Sequence, residues 1–248
     1  MMQIAKQIVA DIKNQANQEK AQQLQRFFKT GPGAYAEGDR FLGLTVPQQR
    51  VIVRQYREQI ALNDLSDLIK SPYHEIRLVC LLLLVELYQK AHSQKEKKEL
   101  VNFYLQNTAH INNWDLVDFS ADKILGQYLY AEHLKQNRTT VQQVPELLIK
   151  LATSDILWER RIAVLSTFPF IKGEEFLPTF ELAKILINDQ EDLIQKAVGW
   201  LLREVGKKDE KALTDFLDQY ALHMPRTMLR YSIEKFSEQK RQHYLKKS

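Results

Sequence analysis

The chain has 248 residues, 44% hydrophobic and 27% charged, with a formal net charge of +4. That balance is ordinary for a soluble globular protein and excludes wholesale disorder. Eight glycines and seven prolines are too few for a many-stranded β-sandwich, and the single cysteine, Cys80, excludes a disulfide framework or a cysteine zinc site and fits a reducing compartment.

The opening stretch, MMQIAKQIVADIKNQ, interleaves charged and apolar residues. It reads as an amphipathic helix and not as an export signal, so a cytoplasmic location is expected. Next comes TGPGAYAEGDRFLG, Thr30 to Gly43, which carries four of the eight glycines. It lacks the Gly-Lys-Ser/Thr ending of a phosphate-binding loop and reads as a flexible connector between the first helices, with Arg40 a candidate contact residue. The longest apolar run, Leu78 to Val85, is far short of the ~20 residues that span a bilayer. Cys80 lies inside that run and reads as core.

Further along, apolar residues recur at helical spacing and strand-like alternation is hard to find. Val117, Ala121, Ile124 and Tyr128 form one stripe; Ile194, Ala197, Val198, Leu201 and Val205 form another. Ser71-Pro72, Asn113 and Ser154-Asp155 are candidate helix caps. Five segments share a polar cap, a charged residue and an apolar helix: SPYHEIRLVCLLLL, NNWDLVDFSADKIL, SDILWERRIAVLS, NDQEDLIQKAVGWLL and HMPRTMLRYSIEKF. Aligned, their charged residues are Arg77, Asp118, Arg161, Lys196 and Arg230, separated by 41, 43, 35 and 34 residues. Such periods with helical signals only predict an all-α solenoid of HEAT-like or armadillo type, here one domain over 1–248, with a concave binding groove.

Charge is unevenly placed. Residues 203–248 hold eleven Lys/Arg against seven Asp/Glu, so the whole excess lies there. This is either a solvated basic tail or one end of a footprint for a phosphate backbone. Asp118 is the one acid in the aligned row. It either pairs with Arg77 or Arg161 as part of an inter-repeat ladder, or it does chemistry.

The tryptophans bear on that choice. Trp114 and Asp118 are one helical turn apart, and Asp122 continues the line. Trp200 lies off the apolar stripe of its helix, beside Lys196 and Arg203, and Trp158 neighbours Arg161. Each indole could be a wedge between repeats; together they describe a groove of indoles, cations and one carboxylate. Indole faces attract cations. A lone carboxylate is a poor hydrolase for a neutral glycoside, which also needs a general acid. A cationic alkylated base leaves as a neutral molecule without protonation, so one fixed anion can stabilise the sugar's oxocarbenium character and position a water.

With these residues in view, the sequence resembles the AlkD-type family of DNA alkylation-repair glycosylases from about Gln23 to Phe236. The resemblance rests on RFFKTGPGAYAEGDRFLGLTVPQQR, NNWDLVD, ILWERRIAVL, DLIQKAVGWLLREVGK and MPRTMLRYSIEKF, in that order. It implies HEAT-like repeats holding duplex DNA, and excision of cationic lesions such as 3-methyladenine and 7-methylguanine without base flipping. Carried over by motif, the Trp–x–x–x–Asp pair falls on Trp114 and Asp118, the helix-borne arginine on Arg161 after Arg160, and the second tryptophan on Trp200. Asp118, Trp114 and Trp200 are then catalytic. Arg161, Arg160, Lys196, Arg203, Arg226 and Arg230 face the DNA with Phe27, which stands where some members have tyrosine.

The resemblance implies alkylated double-stranded DNA as partner, no metal, cofactor or membrane, and a monomer. The six histidines lack zinc spacing, and His74-Glu75 is not followed by the second histidine of a metalloprotease motif. A non-catalytic HEAT-repeat protein binding branched or damaged DNA is the alternative, since a scaffold does not guarantee chemistry.

Overall fold

The computed structural model describes residues 2–135 and 143–247. Among them regular structure is helical, and the one ladder contact is an isolated bridge between Arg40 and Tyr73. The chain forms two compact units, residues 1–120 and 121–248.

In the first unit, α1 (Met2–Asn14), α2 (Gln18–Phe27), α3 (Val46–Tyr56), α4 (Leu65–Leu68), α5 (His74–Lys90), α6 (Gln94–Gln106) and α7 (Trp114–Asp118) follow in order. The expected N-terminal helix is α1. The unit's axis is α5, which packs against α1, α3, α4, α6 and α7. Every residue from His74 to Val85 is buried. The Leu78–Val85 run is therefore a core helix without a solvent face, and Cys80 sits inside it with no exposure. Burial alone pushes the Cys80 thiol up. Helix α5 starts three residues after the expected Ser71 cap, because Ser71 Oγ accepts from the Tyr73 N–H (3.1 Å) and Pro72 intervenes.

The glycine-rich segment does connect α2 to α3, but it is fastened and not loose. Gly33, Gly38 and Gly43 have positive φ. At Gly43 (φ +90°) a Cβ would lie 2.1 Å from the Asn17 carbonyl oxygen, so only glycine fits this close crossing. The fully buried Glu75 carboxylate then accepts the backbone N–H groups of Leu42 (2.9 Å), Gly43 (2.7 Å) and Leu44 (3.2 Å). A carboxylate holding successive backbone donors fixes the loop's path far more firmly than neutral hydrogen bonds would.

The second unit opens with a wide turn, Asp122–Gly126. It continues through α8 (Gln127–Lys135), α9 (Glu146–Ala152), α10 (Leu157–Leu165), α11 (Phe168–Lys172), α12 (Leu177–Ile185), α13 (Asp192–Lys208), α14 (Glu210–Tyr220), α15 (Arg226–Ser232) and α16 (Glu238–Lys247). Here α13 is the axis, touching α10, α11, α12, α14 and α15. Its stripe of Ile194, Ala197, Val198, Leu201 and Val205 is buried as the periodicity predicts. Each larger side chain in that stripe contributes about 1.5–3 kcal/mol. The helices at recurrent spacing, α10, α13 and α15, pack in succession, which makes the repeat physical. Gly199, inside the QKAVGW motif, lets α13 approach α15: a Cβ there would meet the Met228 carbonyl oxygen at 2.5 Å.

One predicted helix is interrupted. Val117, Ala121 and Ile124 are buried, but α7 ends at Asp118, and the next turn closes through Gly126 N–H to the Ala121 carbonyl (2.9 Å), five residues back. Ser120 Oγ donates back to the Leu116 carbonyl (2.6 Å), a side-chain bond that competes with the helix ladder. Similarly, α10 begins at Leu157 because Ser154 Oγ accepts from Ile156 N–H (3.1 Å) and donates to Glu159 (2.6 Å).

Candidate functional site

In the first unit the site grows from the start of α7. Asn113 caps it as expected, its side-chain oxygen accepting the Trp114 N–H at 2.8 Å. Asp115 also caps locally, through Oδ1 to the Leu116 N–H (2.9 Å), and turns Oδ2 to His74 Nε2 (2.8 Å). The other ring nitrogen, His74 Nδ1, faces Asp39 Oδ2 at 2.9 Å. Both nitrogens meet carboxylate oxygens, so both carry protons and the ring is an imidazolium. Burial disfavours that charge, but Asp115 and Asp39 outweigh it and raise the His74 pKa from 6.5 to about 9. Arg77 completes the cluster, donating through Nη2 to Asp39 Oδ1 (2.8 Å) and Asn112 Oδ1 (3.1 Å), and through Nη1 to the Ser71 carbonyl (2.9 Å). Burial works against Asp39 ionising, yet its bonds to His74 and Arg77 hold the carboxyl below its usual value.

Upon this charged base lies an aromatic deck. His74 stacks on Phe41 (centroids 4.5 Å, 22°) and is tilted against Phe28 at 5.0 Å. Phe28 stacks on Trp114 (5.3 Å, 25°), and Phe27 meets Trp114 edge-on at 6.1 Å. Trp114 and Asp118 are both half-buried, and Phe27 is 63% exposed. The structure thus brings Phe27 to Trp114, one helical turn before Asp118. The two aspartates of α7 differ sharply. Asp115 is buried and engaged with His74, whereas Asp118 keeps part of its surface in solvent.

The expected row of cations is differently used. Arg77 turns inward to Asp39. Arg161 is only 5% exposed and donates through Nη1 to the Leu193 carbonyl at 2.6 Å. Arg160, half-buried, pairs with Asp189 (2.7 Å) and donates to the Ser154 and Asp155 carbonyls. Trp158, one of the three indoles expected in the groove, is 7% exposed and part of the core.

Elsewhere in the second unit, Trp200 is half-buried, off the α13 stripe as expected. Its indole N–H donates to Glu204 (3.1 Å), and its ring lies near Phe168 (6.3 Å, 47°). Lys207 (2.7 Å) and Arg203 (3.4 Å) hold that carboxylate, and Arg203 also pairs with Glu234. Lys196 pairs with Asp192 (2.6 Å), Arg226 donates to the Leu245 carbonyl (2.9 Å), and Arg230 is exposed. Within the C-terminal stretch Lys211 pairs with Asp215, Lys240 with Glu210 and Arg241 with Glu238, acids of the same stretch, so its net positive excess remains.

Sequence reasoning missed Asp39, His74, Asp115 and Phe28 beneath Trp114, and Glu204 beside Trp200. One signal was present: His74, Glu75 and Arg77 lead directly into the apolar run Leu78 to Val85, which leaves no solvent face, so these ionisable groups are expected to be buried and paired. Among the described residues no group of three or more His, Cys, Asp or Glu is arranged to hold a metal ion, and no helix is long and apolar enough to cross a membrane.

In chemical terms the first unit offers an electron-rich, partly exposed indole with a carboxylate one turn away. That is a surface for a cationic or polarised ring. A solved structure described as a predicted DNA alkylation repair enzyme from Enterococcus faecalis matches with a TM-score of 0.69 and 19% identity, over 90% of this chain and 98% of that one. At that identity the likeness establishes the fold, a helical repeat. No curated protein matches the sequence significantly. The family profile described as DNA alkylation repair enzyme matches residues 8–236, nearly the whole chain. The chain therefore belongs to the DNA alkylation repair enzyme family.

Proposed function

We propose that the protein is a DNA glycosylase that hydrolyses the N-glycosidic bond of positively charged N-alkylated purines, such as 3-methyladenine and 7-methylguanine, in duplex DNA without base flipping. One observation carries this reading: of the two aspartates on α7, the buried one is engaged with His74, while Asp118 stays partly exposed one turn from Trp114.

The chemistry needs few groups. The C1′–N bond breaks with its electron pair passing to the cationic base, which leaves neutral. Asp118 stabilises the oxocarbenium and orients a water whose oxygen bonds to C1′; the water's proton passes to the carboxylate or to solvent. Trp114 presents its indole face to the deoxyribose, Phe27 widens that aromatic surface without a hydroxyl to donate, and Trp200 offers a second indole to the DNA from its own unit. Arg160, Lys196, Arg203 and Arg226 exchange their present partners for backbone phosphates, the exposed Arg230 adds a further cation, and Arg161 grips one phosphate from its anchor at Leu193. Both units act as one functional domain, in a cytoplasmic monomer without metal or cofactor.

The test is release of methylated purines from alkylated duplex. Asp118→Asn is expected to lower the rate about tenfold or more in the folded protein, whereas Asp115→Asn lowers stability first. Equal activity of Asp118→Asn and wild type refutes the assignment. Salt-sensitive binding to nicked or branched duplex with no base release establishes the non-catalytic alternative.

A further inference from the structure

A polar cleft in the first unit plays no part in the proposed chemistry. It has a volume of about 260 Å³, lies between the Lys70–Pro72 turn, the Glu37–Asp39 turn and the short helix Thr108–His110, and is walled by Lys70, Ser71, Arg77, His110 and Asn112. Its donors are left over from the packing. Asn112 spends its oxygen on Arg77, which leaves its amide N–H₂ available. Ser71 Oγ accepts from Tyr73 and keeps its own hydrogen to give. Arg77 is 4% exposed with no partner for Nε, although both Nη atoms are bonded. Among the described residues Lys70 forms no ion pair.

The two carboxylates at the rim do not cancel this. Asp39 is sealed, its oxygens taken by Arg77, His74, Asn113 and its neighbour's N–H. Glu37 turns Oε2 back to the Gly33 N–H at 2.9 Å. We propose that this cleft binds a phosphoryl group, held by Lys70, Asn112, Ser71 and His110 over the Arg77 guanidinium. Its electrostatics agree: burial, and then the charges of Arg77 and Lys70, keep His110 more readily deprotonated than usual. Lys70 also belongs to the rim of an adjoining groove of about 450 Å³ that carries Lys6 and Lys13 against the one acid Asp67, so the approach to the cleft is net cationic. The site stands on the first unit alone and is independent of the glycosylase reading.

The group's source is either a backbone phosphodiester or a terminal or free phosphate, and both share this chemistry. His110 reports occupancy, because a bound phosphate reverses the field that depresses its pKa. The His110 ring signal of the full-length protein, assigned through His110→Gln, is titrated by NMR with inorganic phosphate, with a nicked duplex bearing a 5′-phosphate and with the same duplex bearing a 5′-hydroxyl. The His110 pKa is expected to rise, and Lys70→Met, at an exposed position that leaves the fold intact, to weaken binding about fivefold. A rise with both duplexes assigns a backbone phosphodiester; a rise confined to free phosphate and the phosphorylated nick assigns a phosphate terminus. Constant His110 behaviour with all three probes, or binding unaltered by Lys70→Met, overturns the proposal.

Discussion

The charged base under Trp114 makes stability depend on pH in a calculable way. His74 titrates near 6.5 when unfolded and at about 9 when folded. A raised pKa means that the native state holds its proton more tightly, so the gain is complete below pH 6.5 and lost as pH rises through 9. At about 1.4 kcal/mol for each pH unit, the interval corresponds to about 3 kcal/mol. In a chain of this size that is roughly a 10 °C fall in melting temperature. The assay is urea denaturation from pH 6 to 9.5, followed by circular dichroism, for wild type and His74→Gln. At pH 6 the variant is less stable by about 3–5 kcal/mol, because a buried carboxylate loses its partner, and the gap narrows as pH rises through 9. It should also lose the extra slope, since glutamine does not titrate. Equal slopes in the two proteins, or a His74 ring signal titrating at or below 6.5, would refute the imidazolium assignment.

Four further outcomes are expected. Asp39 contributes on the acid side: its lowered pKa means stability present above the ordinary 3.8 and lost as pH falls through the folded value, which Asp39→Asn should flatten in acid titrations. Gly43→Ala forces a Cβ against the Asn17 carbonyl at a φ of +90° and should cost about 3 kcal/mol by chemical denaturation. Glu75→Gln should cost about 2–3 kcal/mol and speed amide exchange at Leu42, Gly43 and Leu44, because a neutral amide holds those N–H groups weakly. Glu204→Leu should shift Trp200 fluorescence by freeing its indole N–H, with stability changed by less than about 1 kcal/mol; unchanged emission would remove Glu204 as the group that orients Trp200.

The sequence reveals those parts of the fold where one helix face meets solvent. On α13 the stripe and the off-stripe Trp200 follow from spacing, because burial there is one-sided. On α5 burial is all-round, so periodicity vanishes and only composition marks the helix. The break after Asp118 leaves no trace in the apolar pattern: Val117, Ala121 and Ile124 stay buried whether the backbone closes four or five residues back. Trp114 and Asp118 are legible because four residues make one turn. Their foundation is not, because Asp39, His74 and Asp115 meet through loops that no local pattern links.

The junction of α2 and the glycine segment has a final consequence. Consecutive phenylalanines have opposite fates, Phe27 being 63% exposed and Phe28 6%. The inner ring continues the stack from His74 to Trp114, and the outer ring is free to meet a ligand. Asn17 fixes where α2 begins, its side chain accepting the Lys20 N–H. The count from that anchor to the two rings therefore decides which ring faces out. Deleting or inserting one residue within α2 would rotate the pair by about 100° and break the stack, although composition and hydrophobicity would scarcely change. Relatives that keep this deck should differ in α2 by substitution and keep their gaps outside it.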